Sequence, residues 1–377
     1  MRIVVVGSGI VGASVAYHLA RRGRDVDVVL VDRGDPGRAT DAGAGIICPW
    51  LSSAKRYVDA YQLHAAGAAY YPELIEALGD DGETKPSYAT VGGLFVSTDD
   101  AALADAHALA TRRAAEAPAV GEVTRVDSAD VRRYFPPLRE DYSGVHVSGG
   151  GRVDGRMMRD ALVRAAARRG MTRRSGSAQL AVDDIGRITG VRLTGRGSAG
   201  DLVPADAVIV AAGAWTPELL RPFGVKLALT PQKGQIVHLQ LAGVDTSAWP
   251  IVQPLGAHYL LAFPGGRIVC GATRETGSGF DYRLTAGGIR EVLDDALTVA
   301  PGLADATLLE SRVGFRPRSD DEIPFLGRVP GVDGLVVATG MGATGLTAGP
   351  YSGRIAAALA LDEPSPLDLT PFRIDRP

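Results

Sequence analysis

The chain opens on an unbroken apolar run at residues 3–6, with no polar position to turn toward solvent. Such a run suits a parallel strand covered on both faces. Small residues follow, and then Val11, Val15 and Leu19 recur on one helical stripe. Val26, Val28, Leu30 and Val31 predict a second strand over residues 24–32. Strand, helix and strand in that order make a crossover unit, which requires a parallel pair.

Further on, alanine-rich stretches predict helices over 59–78 and 101–116, with a short strand at 92–97 between them. A helix is expected over 157–170, ended by Gly170, followed by strands at 190–194 and 207–212. The pattern then changes. Strands at 235–239, 259–263 and 267–271 succeed one another without helices, and Pro264-Gly265-Gly266 marks a hairpin. These antiparallel signals suggest a second lobe. A helix over 288–297, a buried strand over 334–340 and a helix over 350–361 complete the chain, with Pro364, Pro366 and Pro371 in a loose end.

A length of 377 residues suffices for two lobes with separate cores. The formal charge of −3 gives no bulk attraction to nucleic acid or to anionic membranes. Paired arginines (21–22, 112–113, 132–133, 168–169, 173–174) are expected on solvated helix faces. Cys48 and Cys270 lack metal or redox spacing and are expected as buried thiols; the six histidines form no cluster, so no metal site is expected. The apolar run at 207–215 is too short to span a bilayer, and no secretory leader precedes the first strand. A soluble, cytoplasmic protein is expected.

Glycine is the compositional outlier: 48 residues, against roughly 7% in ordinary proteins. Gly7-Ser8-Gly9-Ile10-Val11-Gly12 falls directly between strand and helix, as G-x-G-x-x-G. Gly7 serves the tight turn, Gly9 the approach of a pyrophosphate, and Gly12 the packing of helix on strand. The helix N-terminus then receives the phosphates. Asp32 ends the second strand, placed to accept from a ribose hydroxyl. This predicts a dinucleotide site without separating NAD from FAD. The small residues from Ala39 to Gly45, Ala211-Ala-Gly213-Ala-Trp215, and Gly340-Met-Gly-Ala-Thr-Gly345 ask for one extended ligand touched by the start, middle and end of the chain.

On these motifs, together with Gly314-Phe-Arg-Pro317, Asp321 and Gly327, the sequence resembles the FAD-dependent D-amino-acid oxidase superfamily over essentially its whole length. It is most similar to the glycine oxidase, sarcosine oxidase and bacterial D-amino-acid dehydrogenase branch. The resemblance implies an α/β fold: a Rossmann-like FAD-binding domain (1–84, 141–220 and 313–377) and a second, mainly antiparallel β-sheet substrate domain (85–140 and 221–312). It implies FAD contacts at Ile10, Val11, Asp32, Arg33, Ala39, Thr40, Ala44, Gly45 and Ile46. Others are implied at Gly342, Ala343, Thr344, Gly345, Leu346 and Thr347, with a backbone contact to adenine at Gln179 and the strand-end Gly213 beside the cofactor. Some relatives attach flavin through a cysteine or a histidine, but Gly314 stands near the first position and no histidine near the second, so non-covalent FAD is implied.

The chemistry implied is hydride transfer from an amine carbon to flavin N5, giving an imine that water hydrolyses. Arg316 is implied to grip the substrate carboxylate and Tyr259 to assist it. From the residues alone, Arg316 reads equally well as a surface arginine in a turn before Asp320-Asp321, and Tyr259 as a core tyrosine. Glycine-oxidase-like members carry a second arginine in the C-terminal loop; Gly342-Ala343-Thr344 stands there instead. Pro49 and Trp50 could wall the pocket or belong to the core, and His238 and His258 receive no role. The expected substrate is a D-amino acid or an N-substituted amino acid. The alternatives are a flavin-binding subunit or tailoring oxidoreductase acting on another amine, and a nicotinamide-dependent dehydrogenase.

Overall fold

The computed structural model describes residues 1–52, 60–195, 200–256 and 258–376. Asp59, the expected first residue of the alanine-rich helix, lies outside them. The elements that position the site are, along the chain, β1 (Arg2–Val6), α1 (Ile10–Ala20), β2 (Asp27–Asp32), α2 (Tyr61–Asp80), β3 (Gly93–Ser97), β4 (Thr172–Ser175), β5 (Ala207–Val210), β6 (Leu229–Gln240), β7 (Tyr259–Phe263), β8 (Arg267–Gly271), β9 (Thr307–Ser319), β10 (Phe325–Arg328), β11 (Leu335–Thr339) and α3 (Gly345–Ala360).

The first sheet runs β10-β11-β5-β1-β2-β4, parallel throughout except for β10. Its alternation explains the unbroken apolar run in β1. Ile3, Val5, Val28 and Leu30 pack with residues of α1, α3 and the helix Gly155–Arg168. Val4, Val6, Val29 and Val31 pack with Ile188, Val191, Leu193 and Val203 of an antiparallel meander on the other face. Both faces are dry, so neither can carry polar residues.

Among the described residues the second sheet has nine strands. β6 pairs along its length with β9, β8 pairs with β6, and β7 returns from β8 through the Pro264–Gly266 turn. Ile251–Pro254 follows, parallel to β3, in an otherwise antiparallel sheet. Val237, Leu260, Ile268 and Cys270 pack with Val292 and Ala296 of the helix Ala286–Val299. The fold is thus α/β with a Rossmann-like layer and a second, mainly antiparallel sheet. Two strands, Ser143–Val147 and Thr307–Ser319, bond in that second sheet although they lie in, or cross into, segments expected for the cofactor half.

Several local expectations are corrected. Arg316 is in a strand, not a turn: Gln232 of β6 stands opposite it in the ladder. The charges, Gly314 and Pro317 conceal that strand from periodicity. Arg173 and Arg174 lie on β4, an edge strand with exposed side chains, not on a helix. Arg113 is only 7% exposed; it donates to the carbonyls of Pro49, Trp50 and Ser52 and stacks on Tyr61. Pro49 and Trp50 belong to the core. The last helix starts at Gly345 rather than residue 350, taking Pro350 into its interior. No helix among the described residues is long and apolar enough to cross a membrane, and no cluster of three metal-binding side chains occurs among them.

Candidate active site

One cavity of about 500 Å³ joins the two sheets. Its first wall grows from the turn after β1. Gly7 has φ +103°, and a Cβ there would stand 2.5 Å from the Ala211 carbonyl oxygen. Only glycine lets this turn lie against the end of β5. Gly12 does not line the cavity: its Cβ would stand 1.8 Å from the Gly7 carbonyl oxygen, so its role is helix–strand packing. Gly9 caps α1 without any side-chain cap, leaving first-turn amides facing the cavity; Thr40 Oγ1 accepts from Ile10 N at 2.9 Å. A second uncapped helix terminus, that of α3 at Gly345 and Leu346, opens into the same space.

Asp32 is held on three sides, accepting from the backbone N–H of Ser8 and of Gly34, both at 2.7 Å, and pairing with Arg38. Arg33 turns away to Asp35. Gly45, at φ +106°, passes so near Val153 that a Cβ would lie 1.9 Å from its carbonyl oxygen. Gly314 packs against Ala42, where a Cβ would come within 2.8 Å.

Of the expected cofactor residues, Gly7, Gly9, Ile10, Val11, Asp32, Arg33, Ala39, Thr40, Ala44, Gly45, Ile46, Gln179, Gly213, Gly342, Ala343, Gly345 and Leu346 line this cavity. Thr344 and Thr347 do not. Thr344 Oγ1 meets His64 Nε2 at 2.9 Å, and Thr347 donates to the Ile46 carbonyl at 2.9 Å. Both threonines fix the loop rather than face the space.

At the far end, Tyr259 of β7 and Arg316 of β9 come together. Arg316 Nη1 donates to the Thr273 carbonyl at 2.9 Å, and its guanidinium lies flat over Gly234, where a Cβ would be 2.7 Å from both Nη atoms. Burial pushes the Tyr259 hydroxyl above its ordinary range, while the charges of Arg316 and Arg274 pull it back. Arg274 was missed by sequence reasoning, and it lines the same end. Its signal is faint: an arginine three residues past β8, in a stretch that reads as a polar turn. Arg38 was missed as well. Trp215 stacks on Phe280 at 4.9 Å, with Phe315 edge-on to both, closing one flank. Cys48 and Cys270 are buried free thiols pushed up to about 12 by desolvation, and neither lines the cavity.

A family model for FAD-dependent oxidoreductases, the DAO family, matches residues 2–359. The chain is 46% identical over 370 residues to the oxidoreductase YurR of Bacillus subtilis, covering 98% of this chain and 97% of that protein. It is 31% identical over 381 residues to a glycine oxidase of Pseudomonas aeruginosa, covering 98% of each. The crystal structure of iminodiacetate oxidase from Chelativorans sp. BNC1 matches with a TM-score of 0.92 at 45% identity, covering 99% of this chain and 98% of that one. The chain belongs to the DAO family of FAD-dependent oxidoreductases. It is an FAD-dependent amine or amino-acid oxidoreductase.

Proposed function

We propose that this enzyme oxidises a small secondary amino acid whose nitrogen carries a second carboxylate arm, of the iminodiacetate kind. One observation carries the reading: two guanidinium groups, Arg316 and Arg274, share the Tyr259 end of the cavity. A fixed guanidinium grips a carboxylate through paired N–H donors, and two of them suit a dianion better than glycine. The cation absent from the C-terminal loop is thereby replaced from a different segment. The 45% identical iminodiacetate oxidase supports the same substrate class.

In this reading Gly9, Ile10 and Val11 at the α1 terminus would hold the pyrophosphate of non-covalently bound FAD, and Asp32 would hold the ribose. Gln179 would meet the adenine, and residues 43–46 and 342–346 would hold the ring. FAD supplies the two-electron acceptor for hydride lost from the carbon next to nitrogen. The chain's residues orient that carbon. Arg316 and Arg274 hold the carboxylates, and Tyr259 donates to one of them. Their positive charge also disfavours a substrate ammonium, so the amine is held in the neutral form that can release hydride. Among the described residues lining the cavity, the carboxylates are Asp32, Asp35 and Glu218. Asp32 ends β2 and Asp35 follows it, and Glu218 sits on a short helix against the strand of Gln179, all at the adenosine end. The proton of the amine therefore leaves to water rather than to a carboxylate base at the reacting carbon. Water then hydrolyses the imine, so an iminodiacetate-type substrate yields an amino acid and a 2-oxo acid.

The test is anaerobic flavin bleaching by iminodiacetate, sarcosine, glycine and a set of D-amino acids. Fastest reduction by the two-carboxylate amine is expected; faster reduction by glycine or a D-amino acid would overturn the reading.

A further inference from the structure

We infer that α2 is a brace for the loop that receives the flavin ring, with His64 the residue that sets the loop through Thr344. The inference rests on the assignment of residues 342–346 to the flavin. His64, Gly67 and Tyr71 fall on one face of α2, at the three- and four-residue spacing that stacks side chains along a helix. Each meets the same loop and helix start, and none of the three lines the cavity. They act at one remove.

The first rung is His64 to Thr344. Thr344 Oγ1 lies 2.9 Å from His64 Nε2 and 2.8 Å from the Met341 carbonyl oxygen. A carbonyl only accepts, so the single hydroxyl proton goes to Met341 and the imidazole Nε2–H donates to Thr344. Burial depresses the His64 pKa to about 4, so the ring is neutral at physiological pH and this tautomer is fixed. The Thr344 backbone N–H also donates to the Met341 carbonyl, at 2.9 Å. The hydroxyl and the amide thus close the turn Met341–Thr344 around one oxygen, and His64 holds that turn from behind.

The second rung is steric. A Cβ on residue 67 would stand 2.5 Å from the Thr347 carbonyl oxygen and 2.9 Å from the Ala348 Cα, so only glycine lets the helices touch here. The third rung repairs a defect. Pro350 has no N–H, so the Leu346 carbonyl, four residues earlier, lacks its helical donor. The Tyr71 hydroxyl donates to that carbonyl at 2.5 Å from a fully buried position, stacked on Tyr88. Proline in the second turn of α3 therefore makes the start of that helix depend on α2.

The consequence concerns charge. The α3 terminus has no side-chain cap and opens into the cavity at Gly345 and Leu346. Such a terminus favours negative charge within its first turn and little beyond it. Flavin gains negative charge on reduction, so the alignment that His64 maintains favours the reduced form over the oxidised one.

The test compares His64→Ala, His64→Gln and Thr344→Val in three measurements: FAD affinity of the apoprotein, the flavin reduction potential by dye equilibration, and apoprotein melting. His64→Ala and Thr344→Val are expected to weaken FAD binding about fivefold. They should also lower the reduced-to-oxidised ratio about tenfold, roughly a 30 mV fall for a two-electron couple. The double variant should be no worse than either single one, because both remove the same bond. His64→Gln keeps a donor near Nε2 and should restore most of the potential. A lower melting point with unchanged FAD affinity and potential would overturn the inference. Ala343→Phe serves as the control for the loop assignment. It fills the cavity at that loop, so undiminished FAD binding by this variant would remove the flavin from the loop and the brace with it. Loss of FAD binding in Ala343→Phe beside wild-type behaviour of His64→Ala and Thr344→Val would overturn the brace alone.

Discussion

Arg316 and Arg274 reach the same end of the cavity from different segments, and their removal should have different consequences. Arg316 is anchored by the Thr273 carbonyl and lies over Gly234. In the proposed pose it takes the carboxylate next to the reacting carbon, which every amino-acid substrate carries. Arg316→Ala should cost about two to four kcal/mol of transition-state binding, roughly 30- to 1,000-fold in kcat/KM, for one- and two-carboxylate amines alike. Arg274→Ala should cost iminodiacetate about 10- to 100-fold while leaving sarcosine nearly unchanged, so the preference between the two narrows or inverts. Stopped-flow flavin reduction with both substrates reads this directly; an equal loss for both would remove Arg274 from the second carboxylate. Gly234 supplies a subtler check. Gly234→Ala puts a methyl group where the Arg316 guanidinium lies, and should raise KM about tenfold with melting little changed. The bare backbone of Gly234 and the cationic side chain here form one unit, which explains why Arg316 alone could not be assigned from its neighbours in sequence.

At the scale of elements, the sequence made regular, two-sided burial legible and concealed everything that mixes chemistry with structure. β1, α1 and β2 were readable because both faces of the strands are apolar and the glycine turn between them has a single geometric solution. β9 was not, because Glu310, Arg312 and Arg316 interrupt its alternation, while its backbone ladder to β6 runs on with a register shift between His238 and Leu239. The start of α3 was misplaced for a related reason. Proline at 350 and the glycines before it signal a loop, and the donor that makes the helix possible, Tyr71, lies 275 residues away in sequence. Tyr71→Phe should therefore leave the buried Leu346 carbonyl without a partner and cost about 1–3 kcal/mol. Pro350→Ala restores a helical N–H for that same carbonyl. The double variant should recover most of the loss, a coupling measurable by chemical denaturation of the apoprotein. Strict additivity of the two changes would show that the Tyr71 hydroxyl does not act through its bond to the Leu346 carbonyl.

For the whole molecule, the layers share a response to acid. His18 on α1, His64 on α2 and His238 on β6 are all held neutral by burial, with pKa values lowered from 6.5 to about 3, about 4 and about 4. Arginine charges reinforce this at His18, from Arg354, and at His238, from Arg312. A histidine that binds its proton less readily when folded adds stability that is complete above 6.5 and lost as pH falls toward the folded value. In that window the unfolded chain carries more protons, so stability rises with pH. At pH 5 each group has lost at most 1.5 pH units of linkage, up to about 2 kcal/mol. Partnered carboxylates add to the decline only toward its acid end, below the ordinary carboxylate range: Asp154 is lowered by Arg267 against its burial, and Glu275 by Gln235, Thr273 and Lys233 against its burial. Urea unfolding of the apoprotein at pH 7.5, 6.0 and 5.0 should show stability falling steadily, with His238→Gln flattening part of the slope. Constant stability between pH 7.5 and 5.0 would mean these histidines take up protons without unfolding, and that the layers around them open more readily than their burial indicates. The same window bears on catalysis in the opposite sense from a titrating active-site base. With no carboxylate at the reacting end among the described residues, kcat/KM should rise about tenfold per pH unit below the substrate amine pKa. The inflection should track that amine when one substrate is exchanged for another of different basicity; an inflection that stays fixed would place an enzymic base at the site.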